Sequence, residues 1–123
     1  MMAEFKGLRT AIYRVDDIKK ATAWYSSVLE AEPYFNEPFY VGFTVGGFEL
    51  GLQPEESAET KGVSVLNYWG VDDVAKTHAK LIKLGATEFE LPTEVGEGIV
   101  VAAVKDPWAN IFGIIHNPVF KLS

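Results

Sequence analysis

The sequence predicts an α+β fold built from two tandem βαβββ modules, and three observations carry that expectation. First, Val15-Asp16-Asp17-Ile18 recurs as Val71-Asp72-Asp73-Val74, and at the same offset Lys20 matches Lys76 and Ala23 matches Ala79. Second, each of these junctions follows a run rich in β-branched and aromatic residues and precedes apolar residues at three- and four-residue spacing. Third, each half continues with short strand-like segments separated by turn residues. Internal duplication is the economical explanation.

The elements follow in order. Residues 5–15 alternate as a half-buried strand does. Asp16-Asp17 supplies an N-cap, and Ile18, Ala21, Tyr25, Val28 and Leu29 form the stripe of an amphipathic helix that packs on the sheet. Short strands are expected at 33–36, 40–45 and 48–53, the last two joined by Gly46-Gly47, a two-residue hairpin signal. Residues 54–61 are polar and without periodicity, as in a linker. The second half begins with a strand at 63–69. Its helix closes at Leu84-Gly85-Ala86, with glycine where a left-handed C-cap is wanted; the first helix has Glu30 in that place. Strands at 87–91, 99–104 and 111–116 complete it, and Asp106-Pro107-Trp108-Ala109-Asn110 is a good turn between the last two. A single domain over 1–123 is expected, with one module at 5–53, a linker at 54–61 and a second module at 62–118.

Composition narrows the function. With 123 residues, 48% of them apolar and 23% charged, the chain is long enough to bury one core and lies far from the disordered range. Eleven Lys and Arg against seventeen Asp and Glu give a net charge of -6, which leaves a phosphate-tracking surface without electrostatic support. Nucleic acid is therefore not an expected partner. The absence of cysteine removes thiolate metal sites, thiol nucleophiles and disulfides. The first residues lack a basic region followed by an apolar one, and no apolar run approaches membrane-spanning length, so a cytoplasmic protein without membrane contact is expected. Gly96-Glu97-Gly98 is too short and too acidic for a phosphate loop, and no nucleotide fingerprint occurs.

Several stretches together resemble the vicinal-oxygen-chelate superfamily of glyoxalases, bleomycin-resistance proteins and extradiol dioxygenases. They are Val71-Asp72-Asp73-Val74 leading to Leu84-Gly85-Ala86, Lys105-Asp106-Pro107-Trp108-Ala109-Asn110 running into Ile111-Phe112-Gly113, and Ala23-Trp24-Tyr25 before Val28-Leu29. The likeness covers nearly the whole chain. It departs from the family's Asp-Pro-x-Gly-Asn at Ala109, and from its Leu-Gly helix end at Glu30. The resemblance implies mixed sheets curled into a cup with helices outside, the glyoxalase/bleomycin-resistance/dihydroxybiphenyl dioxygenase fold. It also implies a homodimer, because such cups form from paired modules within one chain or between two.

Metal-dependent members of that superfamily take His, Gln or Glu ligands from the first and last strand of each module. Carried across, the first-strand positions fall on Thr10 and Leu66, and the last-strand positions, counted from the turns, on Glu49 and Gly113. Only Glu49 suits a divalent ion, whereas a catalytic metal generally takes about three protein ligands. The expectation is therefore no cofactor, with a divalent-metal lyase, isomerase or dioxygenase of the glyoxalase type as the alternative. A dimeric structural or regulatory module without a ligand cavity is the third class.

In that orientation the residues facing a small organic ligand are Thr10, Ile12, Arg14, Glu49, Gln53, Leu66 and Tyr68, with Gly51 among them and with Trp108 and His116 near the rim. Glu49 is the candidate catalytic residue, a carboxylate placed to act as general base. The competing reading makes Glu49 and Arg14 a structural ion pair or solvated rim charges. His78, on the second helix beside Leu81, reads as a packed structural residue. Tyr34-Phe35 and Pro38-Phe39-Tyr40 crowd four aromatics into one short segment, at a pocket mouth or a subunit interface.

Overall fold

The computed structural model describes residues 8–55 and 66–119. They divide between two compact units, Met1–Ala58 and Glu59–Ser123.

In the first unit, strand β1 (Thr10–Val15) leads into helix α1 (Ile18–Leu29). β2 (Phe35–Glu37), β3 (Tyr40–Val45) and β4 (Phe48–Pro54) follow. The sheet order is β1-β4-β3-β2, parallel between β1 and β4 and antiparallel elsewhere. Asp17 caps α1 in an extended conformation, its carboxylate accepting from Lys20 N at 3.1 Å. Along β1 burial alternates, with Ala11, Tyr13 and Val15 inside and Thr10, Ile12 and Arg14 outside. The inner row packs with Ala21 and Tyr25 of α1, and the Tyr13 and Tyr25 rings stack at 6.0 Å. Phe43, Leu50 and Leu52 are fully buried with them, each contributing on the order of 1.5–3 kcal/mol by leaving water. Among the described residues of this unit, no helix covers the opposite face of the sheet.

The second unit repeats the plan. β5 (Tyr68–Gly70), α2 (Val74–Lys83), β6 (Thr87–Gly96), β7 (Ile99–Lys105) and β8 (Ile111–His116) form a sheet ordered β5-β8-β7-β6, again parallel only between its first and last strands. Asp73 caps α2 as Asp17 caps α1, accepting from Lys76 N at 3.0 Å. Val74, His78 and Leu81 form the buried stripe of α2, so His78 is a packed residue as expected. Trp69 stacks on Phe112 at 6.4 Å and belongs to the packing.

Gly46 and Gly47 take positive φ of 57° and 89° between β3 and β4, the tight turn their pairing predicts. Asp106 is buried and fixes its turn by accepting from Trp108 N, Asn110 N and Asn110 Nδ2. Several boundaries differ from the expectation, β1 among them, which begins at Thr10 rather than residue 5. β2 runs 35–37 rather than 33–36, because Tyr34 N bonds to Gly42 O just ahead of the ladder. β6 extends to Gly96 rather than ending at 91, its pairing with β7 carried past register shifts. β5 begins at Tyr68; residues 63–65 of the expected strand, like 5–7 of the first and most of the 54–61 linker, lie outside the described residues.

Candidate active site on the open face of the first sheet

Strand parity puts Thr10, Ile12 and Arg14 of β1, Glu49, Gly51 and Gln53 of β4, and Tyr40, Gly42 and Thr44 of β3 on the face away from α1. Five of the expected ligand residues thus share one surface: Thr10, Ile12, Arg14, Glu49 and Gln53. Thr10 stands opposite Glu49, Ile12 opposite Gly51 and Arg14 opposite Gln53. Arg14 lies four residues along the strand from the Glu49 row, roughly 13 Å at 3.3 Å per residue. That spacing does not favour the structural ion pair between them.

Glu49 is held instead by two phenols. Tyr34 Oη donates to Glu49 Oε1 at 2.6 Å, and Tyr40 Oη donates to Oε2. The geometry depends on two glycines. A Cβ at Gly42 would stand 3.0 Å from Tyr34 Cε1 and 3.2 Å from Glu49 Oε2, and one at Gly51 would stand 2.7 Å from Tyr40 Cζ. Both rings therefore lie flat on the sheet because nothing projects beneath them. The phenols remain protonated donors. The bond to Glu49 raises the Tyr34 pKa, and burial followed by the bond to Glu49 raises that of Tyr40. Neither tyrosine was singled out from sequence as a partner of Glu49; the aromatic crowding at 34–40 was the available signal.

Phe35 continues this surface. Its ring meets Phe39 at 6.0 Å and Tyr40 at 6.2 Å, and Tyr34 and Phe39 are 62% and 65% exposed. Aromatic side chains therefore flank the carboxylate while remaining open to solvent.

In the second unit, Leu66 and Tyr68 lie beside Gly113, where a Cβ would meet Asn67 O at 2.6 Å, Tyr68 Cδ1 at 2.8 Å and Leu66 Cδ1 at 3.2 Å. The Tyr68 pKa is raised by burial and by the Glu90 charge. Trp108 is half-buried in the Asp106 turn. His116 pairs with Val100 and falls on the row of Phe112 and Ile114, opposite the row of Gly113. His116, expected near the rim, is the last residue of β8.

The register also revises the repeat. Gly51 pairs with Ile12, three residues before Val15, and Gly113 pairs with Tyr68, three residues before Val71. The equivalent last-strand positions are thus Gly51 and Gly113, not Glu49 and Gly113. Counting from the turns slipped by two residues because a two-residue turn precedes β4 and a five-residue turn precedes β8. With Thr10 and Leu66 as the first-strand positions, these four residues offer no carboxylate or imidazole, and aromatic rings fill the space above both glycines. Among the described residues no group of three or more His, Cys, Asp or Glu side chains converges as a metal site.

Two βαβββ units, each with a helix on one face and a sheet surface on the other, define the class of fold. The family model described as Glyoxalase/Bleomycin resistance protein/Dioxygenase superfamily matches residues 7–114, and the chain belongs to that superfamily. Solved structures agree. A glyoxalase-related enzyme from Fulvimarina pelagi superposes with a TM-score of 0.79 at 18% identity, covering 97% of this chain and 94% of its own. A glyoxalase/bleomycin resistance protein/dioxygenase family enzyme from Burkholderia phytofirmans PsJN gives 0.76 at 25% identity, over 90% and 98%. The fosfomycin resistance protein FosX from Mesorhizobium loti gives 0.69 at 16% identity, over 96% of each chain. No curated protein matches the chain. Among the described residues no helix is long and apolar enough to cross a membrane.

Proposed function

We propose that this protein binds a small organic molecule on the open face of its first module, without a divalent metal, and that Glu49 is the group that fixes the ligand. The observation that carries this reading is the pair of phenols on Glu49. A carboxylate offers about four lone-pair sites. Two are occupied here, so the group is oriented and still has acceptor capacity for a ligand donor. Both oxygens already accept a hydrogen bond, which favours holding a ligand over general-base proton transfer, the chemistry Glu49 would supply if turnover occurs. Thr10, Ile12, Arg14 and Gln53 form the rest of the surface, with Leu66 and Tyr68 as the corresponding residues of the second module.

A homodimer belongs to the same proposal. Its support is the exposed apolar side chains Phe89, Leu91 and Val95 on β6, an edge strand of the second sheet.

The test joins elemental analysis of protein purified without chelator to thermal shifts with nickel, zinc, manganese and iron(II), followed by an organic-ligand screen on wild type and Glu49→Gln. No bound metal, no metal-induced shift and a ligand lost in Glu49→Gln are expected. Near-stoichiometric metal with a clear shift would move a metal-dependent lyase or dioxygenase to the front.

A further inference from the structure

We infer that the Glu49 site takes an organic cation, a quaternary or protonated alkylamine, seated between the Glu49 carboxylate and the aromatic surface of Tyr34, Phe35, Phe39 and Tyr40. This rests on the reading of Glu49 as the recognition group and names the ligand class.

Charge comes first. The two groups bonded to Glu49 are neutral donors, so they orient the carboxylate without cancelling its charge. An anionic ligand would be repelled. A neutral apolar ligand would cover a carboxylate whose two phenol donors are both neutral, a costly burial. A cation satisfies the carboxylate and also offsets its charge on desolvation, which a further neutral donor does not.

The walls select among cations. Tyr34 lies with one side of its ring against Gly42, and at 62% exposure much of the ring is open to solvent. Phe39 is 65% exposed and leans edge-on to Phe35, whose ring reaches Tyr40. The chain of contacts Phe39–Phe35–Tyr40–Glu49–Tyr34 is continuous. Ring faces attract a cation through their quadrupole, most favourably one whose charge is spread over methyl or methylene groups. A compact inorganic cation would gain little from these faces. A second copy of this chain covering the aromatics is the competing occupant, and the test separates the two.

The probes are choline, a quaternary ammonium, and 3,3-dimethylbutan-1-ol, its neutral carbon isostere, titrated into the full chain with binding read by calorimetry or ligand-observed magnetic resonance. Choline is expected to bind about tenfold or more tighter than the alcohol, the ratio that a cation–aromatic contact of roughly 1.4 kcal/mol supplies. Glu49→Gln should reduce the preference by removing the carboxylate's share of it. Phe39→Ala, at an exposed position, should weaken choline binding while leaving the fold intact. Equal affinity for the two probes, or no saturable choline binding, overturns the inference. A neutral or anionic ligand lost in Glu49→Gln would also overturn it while leaving the proposed function standing. If Phe39→Glu converts a dimer to monomer and choline does not bind, the aromatics are a subunit contact and the inference falls.

Discussion

Gly51 lies directly beneath the phenol of Tyr40, close enough that a Cβ at position 51 would stand 2.7 Å from the ring carbon Cζ. The missing side chain of one strand residue is what lets its neighbour on β3 reach Glu49. Gly42 and Tyr34 have the same relation at looser range, 3.0 Å.

Gly51→Ala should therefore displace Tyr40 and break its bond to Glu49, at a cost of about 1–3 kcal/mol for overpacking. Gly42→Ala should cost less, since the Tyr34 ring can yield by a few tenths of an ångström. Urea denaturation of both variants checks the order, and a larger loss in Gly42→Ala would contradict the geometry.

Tyr40 should make stability fall at alkaline pH. Its folded pKa is raised above the ordinary value near 10, first by burial and then by Glu49. The folded state therefore holds the phenolic proton more tightly than the unfolded chain. That contribution is fully present below about pH 10 and is lost as pH rises through the folded value. Tyrosinate absorbance titrated through the alkaline range should show a late-ionising group that Tyr40→Phe removes. No change in that late fraction would refute the assignment.

Three non-glycine residues take positive φ at turns: Glu30 at 53° ending α1, Glu97 at 54° between β6 and β7, and Ala109 at 70° in the Asp106 turn. Glu30→Gly and Ala109→Gly should each stabilise the fold by roughly 1 kcal/mol by relieving that strain. The sites belong to different units, so their effects should add. Thermal unfolding of the two single variants and the double variant provides the comparison.

His78 is 8% exposed, and its Nε2 finds no hydrogen-bond partner among the described residues. An unsatisfied buried polar atom costs on the order of 1–3 kcal/mol. His78→Leu removes that cost and retains side-chain bulk between Val74 and Leu81, so a rise of about 1 kcal/mol in unfolding free energy is expected. A destabilised His78→Leu would indicate that Nε2 is satisfied in solution by a bound water.

The helices were legible because their signals are local. The Asp17 and Asp73 caps, the apolar stripes and the Gly46-Gly47 turn act within a few residues of themselves, so α1 spans Ile18–Leu29 with its cap where the sequence puts it. Strand parity is equally local: Thr10, Ile12 and Arg14 share one side of β1, and Glu49 and Gln53 share one side of β4. The sequence by itself thus determined the βαβββ duplication, the fold class and which residues of a strand share a side. Only the tertiary structure decided which residues of different strands stand together. Glu49 meets Tyr40 across β3 and β4 and Tyr34 from just ahead of β2, and Gly51 rather than Glu49 is the counterpart of Gly113. Cross-strand register depends on turn lengths and on space left free by glycines, and neither leaves a periodic trace along the chain.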